Sequence, residues 1–277
     1  MKTGFVTDST SDIPAQVAER YGIEIVPVLV NINGKSYADG LEISREEFYT
    51  RLPALKQLPT TSSPSVGSFQ ERYEKLLRAG ADSVISIHPP DALSGIFNAA
   101  RLAAQDFGAR VTVLDSGQLS LGLGYQVILA AEAVAQGAAR EQVLSLVESI
   151  RQRVRLTALL ETIEYVRRSG RVSWATAMIG GALRLQPLIG LRFGIVQRLG
   201  QARTRLQGVE RLVEMLNSWG NLERLAVLHT NAEAAAWELM ERVRSKVAVP
   251  PMLVNVTTVI GTHVGPHGLG FVAVPVS

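Results

Sequence analysis

At 277 residues, with 47% apolar and 19% charged side chains, the chain can bury a full core and is too apolar to be disordered. It has no cysteine, which excludes disulfides and thiolate metal sites, and its formal net charge of +3 is too small to indicate a nucleic-acid partner. Residues 1 to 20 hold no apolar leader core and no run reaches bilayer-spanning length, so a cytoplasmic protein without stable membrane insertion is expected.

In chain order, Lys2 to Thr7 reads as a first strand, followed by a hydroxyl-rich junction, Asp8-Ser9-Thr10-Ser11-Asp12. Pro14 to Tyr21 is helical, with proline at a favoured first-turn position. Ile23 to Ile32 is predicted as one strand. Ser44 to Leu52 opens with Ser44 and Glu47 at capping-box spacing. Helices over Ser65 to Ala79, Ser94 to Phe107 and Ser120 to Gln136 alternate with strands at Ser83 to Ile87 and Val111 to Leu114. This alternation predicts a mostly parallel sheet covered on both faces, with ligands beyond the carboxyl ends of its strands. Those ends carry Asp8 to Ser11, His88 to Ser94, and Asp115 with Ser116.

A charged helix from Arg140 to Arg155 changes the texture, and a domain boundary is placed at 152/153. After it come strands at Leu156 to Leu160, Pro187 to Leu191, Ile195 to Leu199, Leu225 to His229, Met252 to Val256 and Gly270 to Val276. Helices are predicted over Thr162 to Arg168, Gly208 to Trp219 and Asn231 to Lys246. Arg192-Phe193-Gly194 looks like a hairpin turn, so the second half should hold a mixed sheet. The expected fold is α/β in two domains, 1–152 and 153–277.

Several small polar groups could touch a ligand. Thr61 and Ser62 precede Pro64 and a helix, where Ser63 or Ser65 equally suits capping. Ser94-Gly95 opens another helix; serine can cap it, or its free amides can meet an anion that glycine lets approach. His263 is read in a glycine-rich loop, between Gly261 and Gly265 and just past a strand. Arg167, Arg168 and Arg171 form either a favourable helix end or a docking patch. Arg203 is split between solvated surface and ligand contact. A Ser-His-Asp hydrolase can be drawn from Ser94, His263 and Asp8 or Asp115, but the chain has no G-x-S-x-G elbow. It also lacks a phosphate-binding nucleotide loop and an H-E-x-x-H metal motif.

Together these motifs resemble the DegV family of bacterial fatty-acid-binding proteins, in order and over essentially the whole chain. The resemblance rests on Thr7 to Asp12, Thr61-Ser62 with Pro64-Ser65, Leu93-Ser94-Gly95, Asp115-Ser116, Ser120 to Gly124, Tyr165 to Arg171, Arg203-Thr204-Arg205 and Gly261 to Pro266. It implies two α/β domains with a long-chain fatty acid between or within them, and no other cofactor, metal or catalytic residue. It implies that Thr61, Ser94, His263 and Arg203 hold the carboxylate. Asp8, Ser9, Ser62, Gly95, Asp115, Ser116, Gly261 and Gly265 would shape the supporting loops. It further implies that a separate ATP-dependent fatty acid kinase phosphorylates the bound acid for phospholipid synthesis, docking at Arg167, Arg168 and Arg171. A stand-alone lipid hydrolase, a phospho-ligand transferase or a lipid-responsive interaction protein are the alternatives. The chain departs from the family pattern at Ser63, at His88-Pro89-Pro90-Asp91, where the family has a serine pair, at Ile96-Phe97-Asn98 and at His267.

Overall fold

The computed structural model describes residues 2–176 and 185–276. The chain runs β1 (Thr3–Asp8), α1 (Ala15–Tyr21), β2 (Ile23–Val26), β3 (Leu29–Ile32), β4 (Lys35–Ala38), α2 (Arg45–Arg51), β5 (Thr60–Ser62), α3 (Val66–Arg78), β6 (Ser83–His88), α4 (Ile96–Ala104) and β7 (Val111–Asp115). Two helices follow, α5 (Leu121–Ala135) and α6 (Arg140–Arg153), then β8 (Arg155–Leu159), α7 (Glu164–Ser169) and α8 (Ser173–Thr176). The remainder is β9 (Gln186–Arg192), β10 (Ile195–Ala202), α9 (Arg205–Asn217), β11 (Leu222–His229), α10 (Glu233–Val243), β12 (Met252–Asn255), α11 (Thr258–Val264) and β13 (Leu269–Pro275).

The first sheet has the order β2-β1-β6-β7 and is parallel throughout, as the strand–helix alternation predicts. A six-stranded sheet, β10-β9-β8-β13-β11-β12, is mixed: β11 and β12 pair parallel, its other pairs antiparallel. The predicted single strand over Ile23 to Ile32 is two strands. Pro27, which has no N–H for a ladder, separates them. The second, β3, leaves the parallel sheet to form a small antiparallel sheet, β4-β3-β5. This third sheet was not expected, because β5 is only three residues long and carries no apolar run.

Helix α5 joins the halves. Its sequence has no polar face, and Leu121 through Ala131 are all buried. It contributes to a core cluster with Phe5, Ile85 and Ile87 of the parallel sheet and Ala226, Leu228, Val272 and Val274 of the mixed sheet. Gly124 permits the close approach: a Cβ there would lie 2.5 Å from the Ser11 carbonyl oxygen. The Tyr125 hydroxyl donates to Leu225 O at 2.7 Å on the other side. The 152/153 boundary falls at the last turn of α6, between β7 and β8.

Local signals explain the helix starts. Ser44 accepts from Glu47 N at 3.1 Å, Ser65 from Ser68 N at 3.1 Å and Thr204 from Gln207 N at 3.2 Å. Ser65, not Ser63, therefore caps α3. The predicted hairpin is present: Phe193 and Gly194 both adopt positive φ between β9 and β10, as a two-residue turn requires.

Candidate functional site: an apolar cavity with a polar mouth

A cavity of about 450 Å³ lies where the carboxyl ends of β1 and β6 face the mixed sheet. Strand alternation builds its floor. Leu156 and Ala158 of β8 and Ile189 and Leu191 of β9 turn toward it, while Leu159 and Leu188 turn to the opposite face and pack with Leu212 and Leu216 of α9. Val259, Ile260, His263 and Val264 of α11 form one wall. The loop before α4, from Pro89 through Gly95, supplies Asp91, Leu93 and Ser94.

Thr61 reaches the cavity from β5, which pairs with β3 at Val30. Its Oγ1 is hydrogen-bonded to His263 Nε2 at 3.0 Å, joining residues 202 positions apart. Ser62 and Ser63 line the same region, as does Arg171 after α7. Ser94 accepts from Ile96 N, the first amide of α4, at 3.3 Å and lines the cavity at once, with Gly95 at the N-cap position. Burial, followed by the nearby Arg171 cation, lowers the His263 pKa to about 3. The imidazole is therefore neutral near neutral pH, with positive charge supplied by arginine.

His263 sits on α11, not in a glycine loop. Gly261 serves packing, since a Cβ there would overlap the Tyr49 ring; Gly265, just past the helix, both adopts a φ of 79° and leaves room for the Tyr165 ring. The N-terminal end of α11 is held by buried carboxylates. Asp12 accepts from Thr257 N at 2.9 Å and from the Ser120 hydroxyl at 2.6 Å, with Arg45 3.3 Å away. Asp39 accepts from Thr258 N at 3.2 Å and from its hydroxyl at 2.6 Å. Tyr49 donates to Val256 O at 3.0 Å. Burial raises the Asp12 pKa to about 6, against the pull of Arg45 and the hydrogen bonds.

Arg203 does not reach the cavity. It lies just past β10, in the bend before the Thr204 cap, and is exposed, while Ala202 beside it is buried. Arg171 is the cation at the mouth. Arg167 and Arg168 both pair with Glu164, the former at 2.9 Å, and Gly170 closes α7 with φ of 70°. Asp8, Ser9, Asp115 and Ser116 stand behind the cavity. Asp115 accepts from Asp91 N at 3.1 Å and Gly117 N at 2.7 Å, which ties down the loop carrying Ser94. Ser9 accepts from Val28 N at 3.2 Å.

Two further histidines stand out: His229, given no role by the sequence, and His88, expected among the ligand-facing strand ends but placed in the core. His229 lines the cavity, with Nδ1 accepting from Ala232 N at 3.2 Å, and burial lowers its pKa. His88 is fully buried; its Nδ1 lies 2.6 Å from Asp8 Oδ2 and its Nε2 2.6 Å from Ser86 Oγ. These three residues have the order of a hydrolase relay, but Ser86 is fully buried and bonded to Tyr73 OH at 2.9 Å. No substrate carbonyl can reach that oxygen. The other relay, Ser94 with His263 and Asp8 or Asp115, is not assembled: Asp8 is committed to His88 and Thr10, and Asp115 to backbone amides. Among the described residues no His, Asp and Glu cluster could hold a metal, and no helix is long and apolar enough to cross a membrane.

An internal apolar cavity, bordered by hydroxyls, an imidazole and a guanidinium, has the chemistry to suit an amphiphile with one polar end. The family model described as "Uncharacterised protein, DegV family" matches residues 2–276. A DegV domain-containing protein of Deinococcus radiodurans is 33% identical, with 100% of both chains covered. One from Streptomyces coelicolor is 34% identical over 96% of each chain. Among solved structures, one described as fatty acid binding of a DegV family protein from Thermus thermophilus superposes with a TM-score of 0.92 at 33% identity, covering 100% of each chain. DegV of Bacillus subtilis, described as a fatty acid binding protein, gives 0.87 at 29% identity, again over 100% of each chain. The chain belongs to the DegV family.

Proposed function

We propose that this protein binds a long-chain fatty acid, with the acyl chain in the 450 Å³ cavity and the carboxylate at Thr61, Ser94, His263 and Arg171. The observation that carries the reading is the Thr61–His263 hydrogen bond at the polar edge of an otherwise apolar cavity, with Arg171 close enough to depress the histidine. A carboxylate is costly to bury unless hydrogen-bonded, and these side chains offer hydroxyl, imidazole and guanidinium donors. Burying roughly fifteen carbons at about 0.8 kcal/mol each contributes on the order of 10 kcal/mol before association costs. The tunnel supplies affinity; the polar mouth supplies orientation. The DegV proteins of Thermus thermophilus and Bacillus subtilis, described as fatty acid binding, support the ligand class.

In this reading the protein is a carrier, not an enzyme. It works in the cytoplasm, needs no resident cofactor, and presents the carboxylate to a separate ATP-dependent fatty acid kinase that forms an acyl phosphate. The kinase would dock beside Arg167, Arg168 and Arg171, the last of which also borders the cavity. The units 1–152 and 153–277 would then meet around the ligand. Native mass spectrometry with solvent extraction of the purified protein tests the binding. One fatty acid per chain is expected; a protein that is empty and takes up no added fatty acid would sink the proposal. Acyl phosphate formation with a purified kinase and ATP tests the partnership separately.

A further inference from the structure

The mixed sheet has a second recess, of about 330 Å³, on the face turned away from the cavity. Alternation along the strands places it there. The side chains of Arg155 of β8, Arg192 of β9 and Gln197 of β10 are out of phase with the cavity-facing Leu156, Ile189 and Leu191, while Leu156, Gly190 and Leu191 border both spaces through the thickness of the sheet. The last turn of α9 closes the recess with Met215, and Trp219 just beyond it completes the wall. Gly190 has no side chain to fill the floor, and Leu199 packs beside it.

The chemistry of this recess is one-sided. No carboxylate lines it. Neighbouring arginines are neutralised, Arg153 by Glu223 at 3.0 Å and Arg224 by Glu132 at 2.7 Å. Arg155 and Arg192 pair with no carboxylate among the described residues. The Arg155 guanidinium instead lies 5.8 Å from the centroid of the Trp219 ring, and that of Arg192 5.2 Å from the Phe193 ring. The Trp174 indole donates to Val196 O at 3.0 Å, whereas the Trp219 indole has no acceptor among the described residues. Two arginines with no carboxylate partner among the described residues, together with a tryptophan, thus line one concavity, and the indole and Met215 give it an apolar wall. Guanidinium forks match oxyanions, and the ring face matches a planar group.

We propose that this recess is a second binding site, separate from the acyl cavity, for a small organic anion bearing a carboxylate or phosphate on a planar apolar body. The probe is phenyl phosphate, titrated into the full-length ¹⁵N-labelled protein while the indole resonances of its three tryptophans are followed. Trp219→Phe assigns the resonance. A saturable shift confined to Trp219 is expected, and Arg155→Gln or Arg192→Gln should each weaken it roughly tenfold or more. The shift should survive His263→Ala, which alters the cavity and leaves the recess intact. Absence of a saturable shift overturns the proposal, as does a response unchanged in the double arginine variant or lost in His263→Ala. Inorganic phosphate binding as tightly as phenyl phosphate overturns the planar-body requirement. Phosphatidylglycerol vesicles that perturb Trp219 when phenyl phosphate does not would mark the face as membrane-directed and overturn the small-ligand site.

Discussion

His263 stays neutral in the folded protein because burial and the Arg171 cation both oppose its protonation. This has a signed consequence for stability. The folded value of about 3 lies below the ordinary 6.5, so between those values the unfolded chain binds a proton that the folded chain does not. The histidine's contribution is complete above about pH 6.5 and is lost as the pH falls toward 3. Asp12 acts in the opposite sense: its folded value of about 6 exceeds the ordinary 3.8, so acidification across that window favours the fold. Thermal unfolding of His263→Gln should show a shallower loss below pH 6.5 than the parent, and Asp12→Asn a steeper one. Identical profiles in all three proteins would refute both assignments. At the same site, Ser94→Ala and His263→Ala each remove one hydrogen-bonding group from the proposed carboxylate position. Each should weaken fatty-acid affinity roughly tenfold, measured by displacement of a fluorescent fatty acid, with little change in the circular dichroism spectrum. Parent-like affinity in both variants would mean that the carboxylate binds elsewhere.

Two short elements carry more of the site than their length suggests. The β9–β10 hairpin brings Phe193 and Gly194 against the first half of the molecule, where Gly194 N donates to Gly117 O at 2.8 Å. Gly194 has φ of 77°, and a Cβ there would lie 2.9 Å from the Pro90 ring. Gly194→Ala should therefore lower stability by about 1 kcal/mol or more, from backbone strain and displacement of the Pro90 loop. Chemical denaturation checks this, and an unchanged midpoint would show that the hairpin tip is not held as described. Because the Pro90 loop leads directly to Ser94, fatty-acid binding should weaken in the same variant. Helix α11 is only seven residues long, too short to persist alone, so its position depends on what holds its first turn.

What holds it comes from 200 and more residues away. Asp12 and Asp39 accept from the amides of Thr257 and Thr258, and Tyr49 donates to Val256 O. The N-terminal half thus fixes the helix that carries His263, while its own β5 presents Thr61 to that histidine. Asp39→Ala would leave the Thr258 amide and hydroxyl unpartnered in a buried setting, at a cost of about 1–3 kcal/mol. A lower unfolding midpoint with weakened fatty-acid binding is the expected outcome, since loss of the anchor displaces His263. A stability loss with full affinity retained would separate the anchor from the site.

Much of this molecule is legible along the chain because short-range chemistry writes it there. Period-two and period-3.6 patterns, serine and threonine caps and the Phe193-Gly194 turn are local. They predict the parallel sheet, the mixed sheet and the hairpin, and the order of the polar motifs marks out Thr61, Ser94 and His263. Pairings between distant residues leave no such trace. Nothing near Thr61 announces His263, and nothing near Arg203 shows that it turns to solvent while Arg171 borders the cavity. The three residues of β5 have no period to read, so the third sheet stayed hidden. His263 looked like a loop residue because, along the chain, a glycine such as Gly261 that makes room for a tyrosine ring is indistinguishable from one that permits a positive φ. His88 reads as a loop residue before two prolines, yet burial beside Asp8 makes it part of the core. Local propensity sets which elements form; the meeting of the two halves around α5 sets which side chains share a cavity, and that meeting depends on contacts spread over the whole chain.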